Sequence, residues 1–489
     1  MSKTYRPYEP DQMFLLPPSL IEWLPKNHLV FFVRDVLEKI DLSPITSVYE
    51  QEERGFPPYH PKVMTGILLY GYCTGITSSR KLAQRCQEDV AFRVLAANNG
   101  PDFRTISDFR KRHLEALQHL FVEILNLCQK AGLVKFGHLS LDGTKVKANA
   151  SKHKAMSYGR MKADISRLEQ EIAQLLKEAD KTDRREDKKY GSDKRGDELP
   201  EELARRETRL AKIMEAKKAL EEEAKRNKDN DDSPASGPPM AKVKTEKNRK
   251  SGKETPPDTA QRNFTDPDSR IMPYQKTFIQ GYNAQVVVDS EHQIIVATDV
   301  TNSPTDESQL KYMVTQLPQK PKVLTADAGY ASKENITYLR KRKIDAYIAC
   351  GREKHGLYND PLPRGRIPDG LTVQQKMRRK VRTLKGRRLY ARRKAIVEPV
   401  IGQIKHATGF RQFRLRGHPK VRAEWFLVTA GHNLKKLFEQ SSKSQTEESS
   451  PWRPEQEANR YQRTDPVALY SGTHRDSNKM KLQITRTHT

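Results

Sequence analysis

Residues 226–262, RNKDNDDSPASGPPMAKVKTEKNRKSGKETPPDTAQR, contain almost no apolar side chain. Such a stretch cannot bury enough surface to offset its ordering, so it predicts a disordered basic linker. Just before it, Met161, Ile165, Leu168, Ile172, Leu175 and Ala179 follow a 4-3-4-3-4 spacing, the seam of a heptad. After a polar loop the pattern restarts at Leu203, Leu210, Ile213 and Leu220. Two amphipathic helices joined in this way predict an antiparallel helical hairpin over 151–225. The hairpin and linker divide the chain, so any sheet spanning them must be assembled from distant segments.

The flanking parts differ in period. Residues 1–135 predict an all-α domain. SLIEWL and LVFFVRDVLEKI carry helical spacing, and Tyr59-His60-Pro61 precedes KVMTGILLYGYCTG, an apolar helix ending at glycine. ITSSRKLAQRC and DVAFRVLAANNG read as short helices, and Thr105 with Asp108 as a capping-box start for the long helix through Leu133. Arg80, Lys81 and Arg85 fall on an exposed face, which fits a helix-turn-helix that contacts DNA. Residues 136–150, FGHLSLDGTKVKANA, read as one strand and its exit. Residues 263–437 continue the pattern. FIQGYNAQVVVDS and QIIVATDVT are strands about a turn at Asp289, Asp306 to Leu317 is a helix, and KVLTAD is a strand. KENITYLRKRK is a helix, DAYIAC a strand, and helices follow to Leu437. The class is α/β, a mixed sheet with helices on its faces. Residues 438–489 predict a disordered tail.

Lys and Arg number 89 against 62 Asp and Glu, a net charge of +27, which favours a polyanionic partner. No apolar run approaches a membrane span, and the N-terminus lacks the apolar centre of a signal peptide. The expectation is a cytoplasmic, nucleoid-associated protein with no membrane partner. Cys73, Cys86, Cys128 and Cys350 form no CxxC pair, so neither a zinc ribbon nor a disulfide framework is expected.

Asp142 ends the apolar run HLSL and Asp327 ends KVLTA, each leaving a strand at its carboxyl end, where open α/β sheets place their sites. Glu398 lies on a later helical segment. Carboxylates from two strand ends and a helix suit a hard divalent cation such as Mg²⁺, which takes a few carboxylates and keeps positions for phosphate oxygens. Other acids read as structural. Asp289 and Asp306 suit turn and helix capping, while Asp266 and Asp268 in FTDPDSR precede one strand, Asp299 flanks the next, and none of them is taken as a metal ligand. His60, His292, His406 and His432 lack metal-ligand spacing. Trp425 reads as core rather than as a platform for a flipped base.

LDGTKVKANAS, NFTDPDSRIM with GYNAQVVVD, TADAGYAS, and RRKAIVEPVIGQIKHATGFRQFRLRG together resemble the DDE transposases of bacterial insertion sequences, within them the group numbered eleven-eighty-two. The resemblance spans roughly residues 5–437. It implies a ribonuclease-H-like catalytic core at 136–150 and 263–437, an N-terminal domain that binds element ends, and Mg²⁺ or Mn²⁺. It also implies Asp142, Asp327 and Glu398 as catalytic metal ligands. The group's last motif is a tyrosine, an arginine, the glutamate and a lysine at set intervals. Lys405 matches. Tyr390 and Arg393 each stand one position too far upstream, and Lys394 occupies the usual arginine place. On a regular helix Lys394, Glu398 and Lys405 share a face and Arg393 does not, unless the helix begins near Pro399. These four side chains, Lys405, Arg393, Lys394 and Tyr390, are the expected DNA contacts. The expected activity is metal-dependent cleavage and strand transfer at the ends of the chain's own element. The expected partner is double-stranded DNA, bound by a homodimer or higher oligomer to which the hairpin contributes, or whose DNA it grips. A nuclease of the same core without strand transfer, and a non-catalytic DNA-binding protein, are the alternatives.

Overall fold

The computed structural model describes residues 19–50, 57–190, 201–229, 237–241, 246–247, 254–351 and 362–446. Its centre is a mixed sheet of six strands. These are β1 (His138–Lys147), β2 (Arg270–Tyr274), β3 (Thr277–Asp289), β4 (Ile295–Thr301), β5 (Val323–Ala326) and β6 (Asp345–Ile348). The order is β6-β5-β1-β3, and the outer edge of β3 carries β2 along its first half and β4 along its second. β1 pairs parallel with β5, and β5 parallel with β6; β1, β2 and β4 each pair antiparallel with β3. His138 to Leu141 are buried without alternation, as expected of a strand covered on both faces.

One register relation builds the site. The parallel ladder of β1 and β5 ends at the pair Leu141 and Ala326. The next residue on each strand is an aspartate, so Asp142 and Asp327 emerge side by side. β1 itself does not end there, contrary to the expectation for Asp142; it continues to Lys147 against β3, with Asp142 opposite Val286. β2 was not expected at all. Pro273 interrupts it, and it is tolerated because β2 lies at the edge of the sheet.

Among the described residues seven α-helices precede β1. They are α1 (Leu29–Leu37), α2 (Ser43–Glu50), α3 (Pro61–Thr74), α4 (Ser79–Glu88), α5 (Val90–Leu95), α6 (Phe103–Arg112) and α7 (Leu114–Lys130). Pro61 starts α3 at the one turn where a missing N–H costs nothing, His60 Nδ1 accepts from Lys62 N, and Gly75 ends it at φ 82°. The expected capping box at Thr105 is absent. Asp102 caps α6 instead, accepting from Arg104 N at 2.8 Å, and the helix breaks at His113 before α7. The Arg110 guanidinium is buried and donates to Tyr72, Ser79 and the Thr77 carbonyl, fixing α6 on the α3–α4 turn.

The hairpin consists of α8 (Tyr158–Tyr190) and α9 (Glu201–Asp229), packed through Met161, Leu168, Ile213 and Leu220. Glu223 anchors its base to the sheet by accepting from Arg270 at 2.7 Å and Arg262 at 3.4 Å. Part of the stretch expected as a linker is held in place. The Pro239 carbonyl accepts from Thr301 and Gln309, Ala241 N donates to Asn302, and Gln261–Asn263 pair with Ala155–Ser157. Residues 230–236, 242–245 and 248–253 lie outside the described residues; the tail expected from 438 is helical to Thr446, where the last helix continues, and from 447 onward it too lies outside the described residues.

Between and after the later strands come α10 (Gln309–Thr315), α11 (Lys333–Lys341), α12 (Val373–Arg382), α13 (Leu384–Gly402) and α14 (His418–Thr446). α14 joins the N-terminal helices to the sheet in one core. Gly431 lies against the backbone of Tyr72 and Cys73, Phe426 meets Phe121 edge-on, and Asn433 closes both polar groups of Ile295 at 2.8 Å. Trp425 is fully buried against Phe410 and Phe413, which removes it from any stacking on DNA.

Candidate active site

α13 packs across β1, β3, β5 and β6 and runs unbroken through Pro399. Proline has no N–H for the Ala395 carbonyl four residues earlier, and the Gln293 side chain donates to that carbonyl instead, at 3.1 Å. The helix then widens into one π-turn, Gln403–Ala407. Continuity through Pro399 places Arg393 and Glu398 on the same helix above Asp142.

Three carboxylates gather about the Arg393 guanidinium. Asp142 Oδ2 accepts from Nη1 at 3.0 Å and Glu398 Oε1 from Nη2 at 3.2 Å. Asp327 also attracts the guanidinium, and its Oδ1 accepts from Gly329 N at 2.9 Å to open a short 3₁₀ turn. The facing argument for a regular helix therefore fails for the arginine. Arg393 is five residues from Glu398, but its long side chain spans the difference, while Lys394 points to solvent. Tyr390 supports Arg393, with the guanidinium carbon 6.0 Å from its ring centre.

Burial pushes the Asp142 carboxyl up to about 6. Arg393 and the Gly143 N–H oppose the rise, and Asp327 and Asp306 add to it. Burial and then Asp306 raise Asp327 as well. Burial acts against the charge on Arg393, but Asp142, Tyr390, Glu398 and Asp327 outweigh it and hold the guanidinium above its ordinary value.

Asp306 corrects a second expectation. Its side chain caps no helix, and α10 begins only at Gln309. Instead Oδ1 accepts from Asn283 at 2.6 Å, Gln285 at 2.9 Å and Lys145 at 3.3 Å. The signal was present in the sequence as two amides, Asn283 and Gln285, two positions apart and so on one face of a largely apolar strand.

Lys405 lies in the π-turn. Its ammonium donates to the Lys145 carbonyl at 2.8 Å and lies 5.2 Å from the Tyr274 ring centre. Burial, then Arg411 and Lys145, lower its pKa to about 8. The remaining acids are occupied elsewhere. Asp289 accepts from the backbone of Phe136 and Glu291, Asp299 takes a two-pronged contact from Arg422, and Asp266 accepts from Tyr282 and Gly417. Asp268 accepts from His418 N. His60 caps α3, His406 meets Arg411 and His432 the Gln293 carbonyl.

Among the described residues no three His, Cys, Asp or Glu side chains are spaced to hold a metal ion as they stand. At Asp142, Asp327 and Glu398 the carboxylates are instead spread around a guanidinium. Desolvated oxygen donors at Asp142 and Asp327, with exposed Glu398 beside them and a cation already between, fit a hard divalent ion chemically. No described helix is long and apolar enough to cross a membrane.

Residues 257–434 match the family model described as the transposase DDE domain, and residues 18–112 match that of a transposase domain (DUF772). Asp327, Arg393, Glu398 and Lys405 fall inside the first match, and Asp142 falls outside both. No curated protein and no solved structure matches the chain.

Proposed function

We propose, from a chain that carries a transposase DDE domain, that it cuts DNA at the ends of a bacterial insertion sequence of the eleven-eighty-two group and joins those ends to a target. One observation carries this reading: acids from β1, the end of β5 and α13, far apart in sequence, surround one partly buried guanidinium. The sheet supports it. An antiparallel unit of β1, β3 and β4 extended by parallel β5 and β6 is the arrangement of a ribonuclease-H-like core.

Asp142, Asp327 and Glu398 would hold Mg²⁺ or Mn²⁺. When bound, such ions activate a water or a 3′-hydroxyl and stabilise the leaving oxygen of a phosphodiester. The protein's own groups supply the rest. Arg393, once released from Asp142 and Glu398, reaches a backbone phosphate with a planar, two-pronged donor set. Lys405 offers a second positive charge, prealigned by the Lys145 carbonyl and Tyr274. Lys394 and Tyr390 flank that track. Arg80, Lys81 and Arg85 are exposed on α4 and suit the phosphates of an element end, although Arg80 rests on Phe103 and Arg85 faces Asp89. The hairpin α8–α9 packs its two helices on each other through a cluster of its own, and its outer faces suit contact with a second copy or with DNA.

The test supplies purified protein with pre-cleaved element ends, a supercoiled target plasmid and Mg²⁺. Joined products are expected. Hydrolysis without joining would make the protein a nuclease, and end binding with neither product would make it a non-catalytic DNA-binding protein.

A further inference from the structure

Asp306 has no part in the reading above. Its Oδ1 is fixed by Asn283, Gln285 and Lys145, and Gln285 is itself fixed by the hydroxyl of buried Tyr330. In register, Lys145 lies opposite Asn283 and Gly143 opposite Gln285, so these groups share one face of the sheet. The carboxylate fills the space left by two glycines. A Cβ on Gly143 would strike Asp306 and Gln285, and one on Gly329 would lie 3.3 Å from Asp306 Oδ2. Each glycine follows an aspartate of the trio, Gly143 directly after Asp142 and Gly329 two positions after Asp327.

The charges explain the arrangement. Asp142, Asp327, Glu398 and Asp306 are negative, and Arg393 and Lys145 are positive. Lys145 is largely buried, at 15% side-chain exposure, and its ammonium lies 3.3 Å from Asp306. Asp327 and Asp142 attract the same ammonium more weakly than Asp306 does. Three residues apart on a strand, Lys145 and Asp142 start from opposite faces of β1. Without a partner on its own face, the ammonium would turn toward Asp327 and Asp142. It would then compete with an incoming cation both by occupying their oxygens and by like-charge repulsion.

We propose that Asp306 is a positioning residue for cation binding: it holds the Lys145 ammonium on its own face of β1 and keeps that charge away from Asp142 and Asp327. The inference rests on the reading of those aspartates as cation ligands.

The experiment titrates Mn²⁺ into the full-length, DNA-free protein by calorimetry and records a thermal melt of each variant. Asp306→Asn keeps the three hydrogen bonds but loses the charge, and should weaken Mn²⁺ binding roughly tenfold. Adding Lys145→Met removes the stray ammonium and should restore affinity to within about threefold of wild type. Lys145→Met alone should bind Mn²⁺ at least as tightly as wild type, and it tests the idea even if Asp306→Asn does not fold. Wild-type affinity in Asp306→Asn, no restoration in the double variant, or weaker binding by Lys145→Met alone would each overturn the inference. Asp142→Asn is the reference. If it binds Mn²⁺ as wild type does, the cation-site reading itself fails, and this inference with it. If it loses Mn²⁺ while Asp306→Asn does not, only the role of Asp306 is lost.

Discussion

Arg393 donates to Asp142 at 3.0 Å across 251 positions of sequence. The same guanidinium holds Glu398, so without an added ion the trio is organised around an internal cation. Arg393→Gln breaks a largely buried pair and should lower metal-free stability by about 1–3 kcal/mol. It should also enlarge the rise in melting temperature caused by Mn²⁺, because the competing charge is gone. Melts with and without Mn²⁺ measure both effects, and an unchanged Mn²⁺ increment would mean that Arg393 does not compete with the ion.

The Asp142 carboxyl, at about 6 in the fold, titrates above the unfolded-chain value of 3.8. Between those two values the folded chain keeps a proton that the unfolded chain has released, so this group's contribution to stability falls as pH rises. Asp142→Asn cannot ionise and escapes that loss. Without metal, the variant should match wild type at pH 4 and exceed it by about 1–2 kcal/mol above pH 7. Denaturant melts across this range check the sign; a wild type that gains on the variant as pH rises would refute it.

Gly143 is closed to any side chain by Gln285 and Asp306, whereas a Cβ on Gly402 meets nothing within 4 Å. Gly143→Ala should cost about 1–3 kcal/mol through overpacking and reduce cleavage at least tenfold. Gly402→Ala, at the end of α13, should be neutral or gain up to about 1 kcal/mol. Equal effects of the two substitutions on cleavage would show that the space beside Asp142 does not matter.

Asp299, at 1% side-chain exposure, belongs to a different network, bound to Arg422 at 2.7 and 2.8 Å. Asp299→Asn should destabilise by about 2–4 kcal/mol while leaving Mn²⁺ affinity unchanged. A loss of Mn²⁺ binding there would mean that acid substitutions affect the site only through the fold.

The neighbouring positions of Asp142 and Asp327 could be read in the sequence because an apolar run ending in an acid marks where a buried strand emerges, whereas Glu398, inside a helix, was indicated only by the family resemblance. The meeting of the first two then follows from a parallel ladder that stops one residue earlier. Asp306 was hidden because an aspartate before a helical pattern also suits a cap, and only the fold shows its three donors reaching it from β1 and β3. Arg393 was misplaced because helical spacing locates Cα atoms and not the end of a long side chain. The edge strand β2 was missed because Pro273 reads as a break until its neighbour β3 is known.

The most direct test is cleavage of DNA carrying the element's own ends, by wild type and by Asp142→Asn, Asp327→Asn and Glu398→Gln, with and without Mg²⁺. Wild type should cut only with the ion, and each variant should bind the ends nearly as tightly yet cut at least a thousandfold more slowly. Undiminished cutting by any one of the three would remove that residue from the site and contradict the shared cation centre.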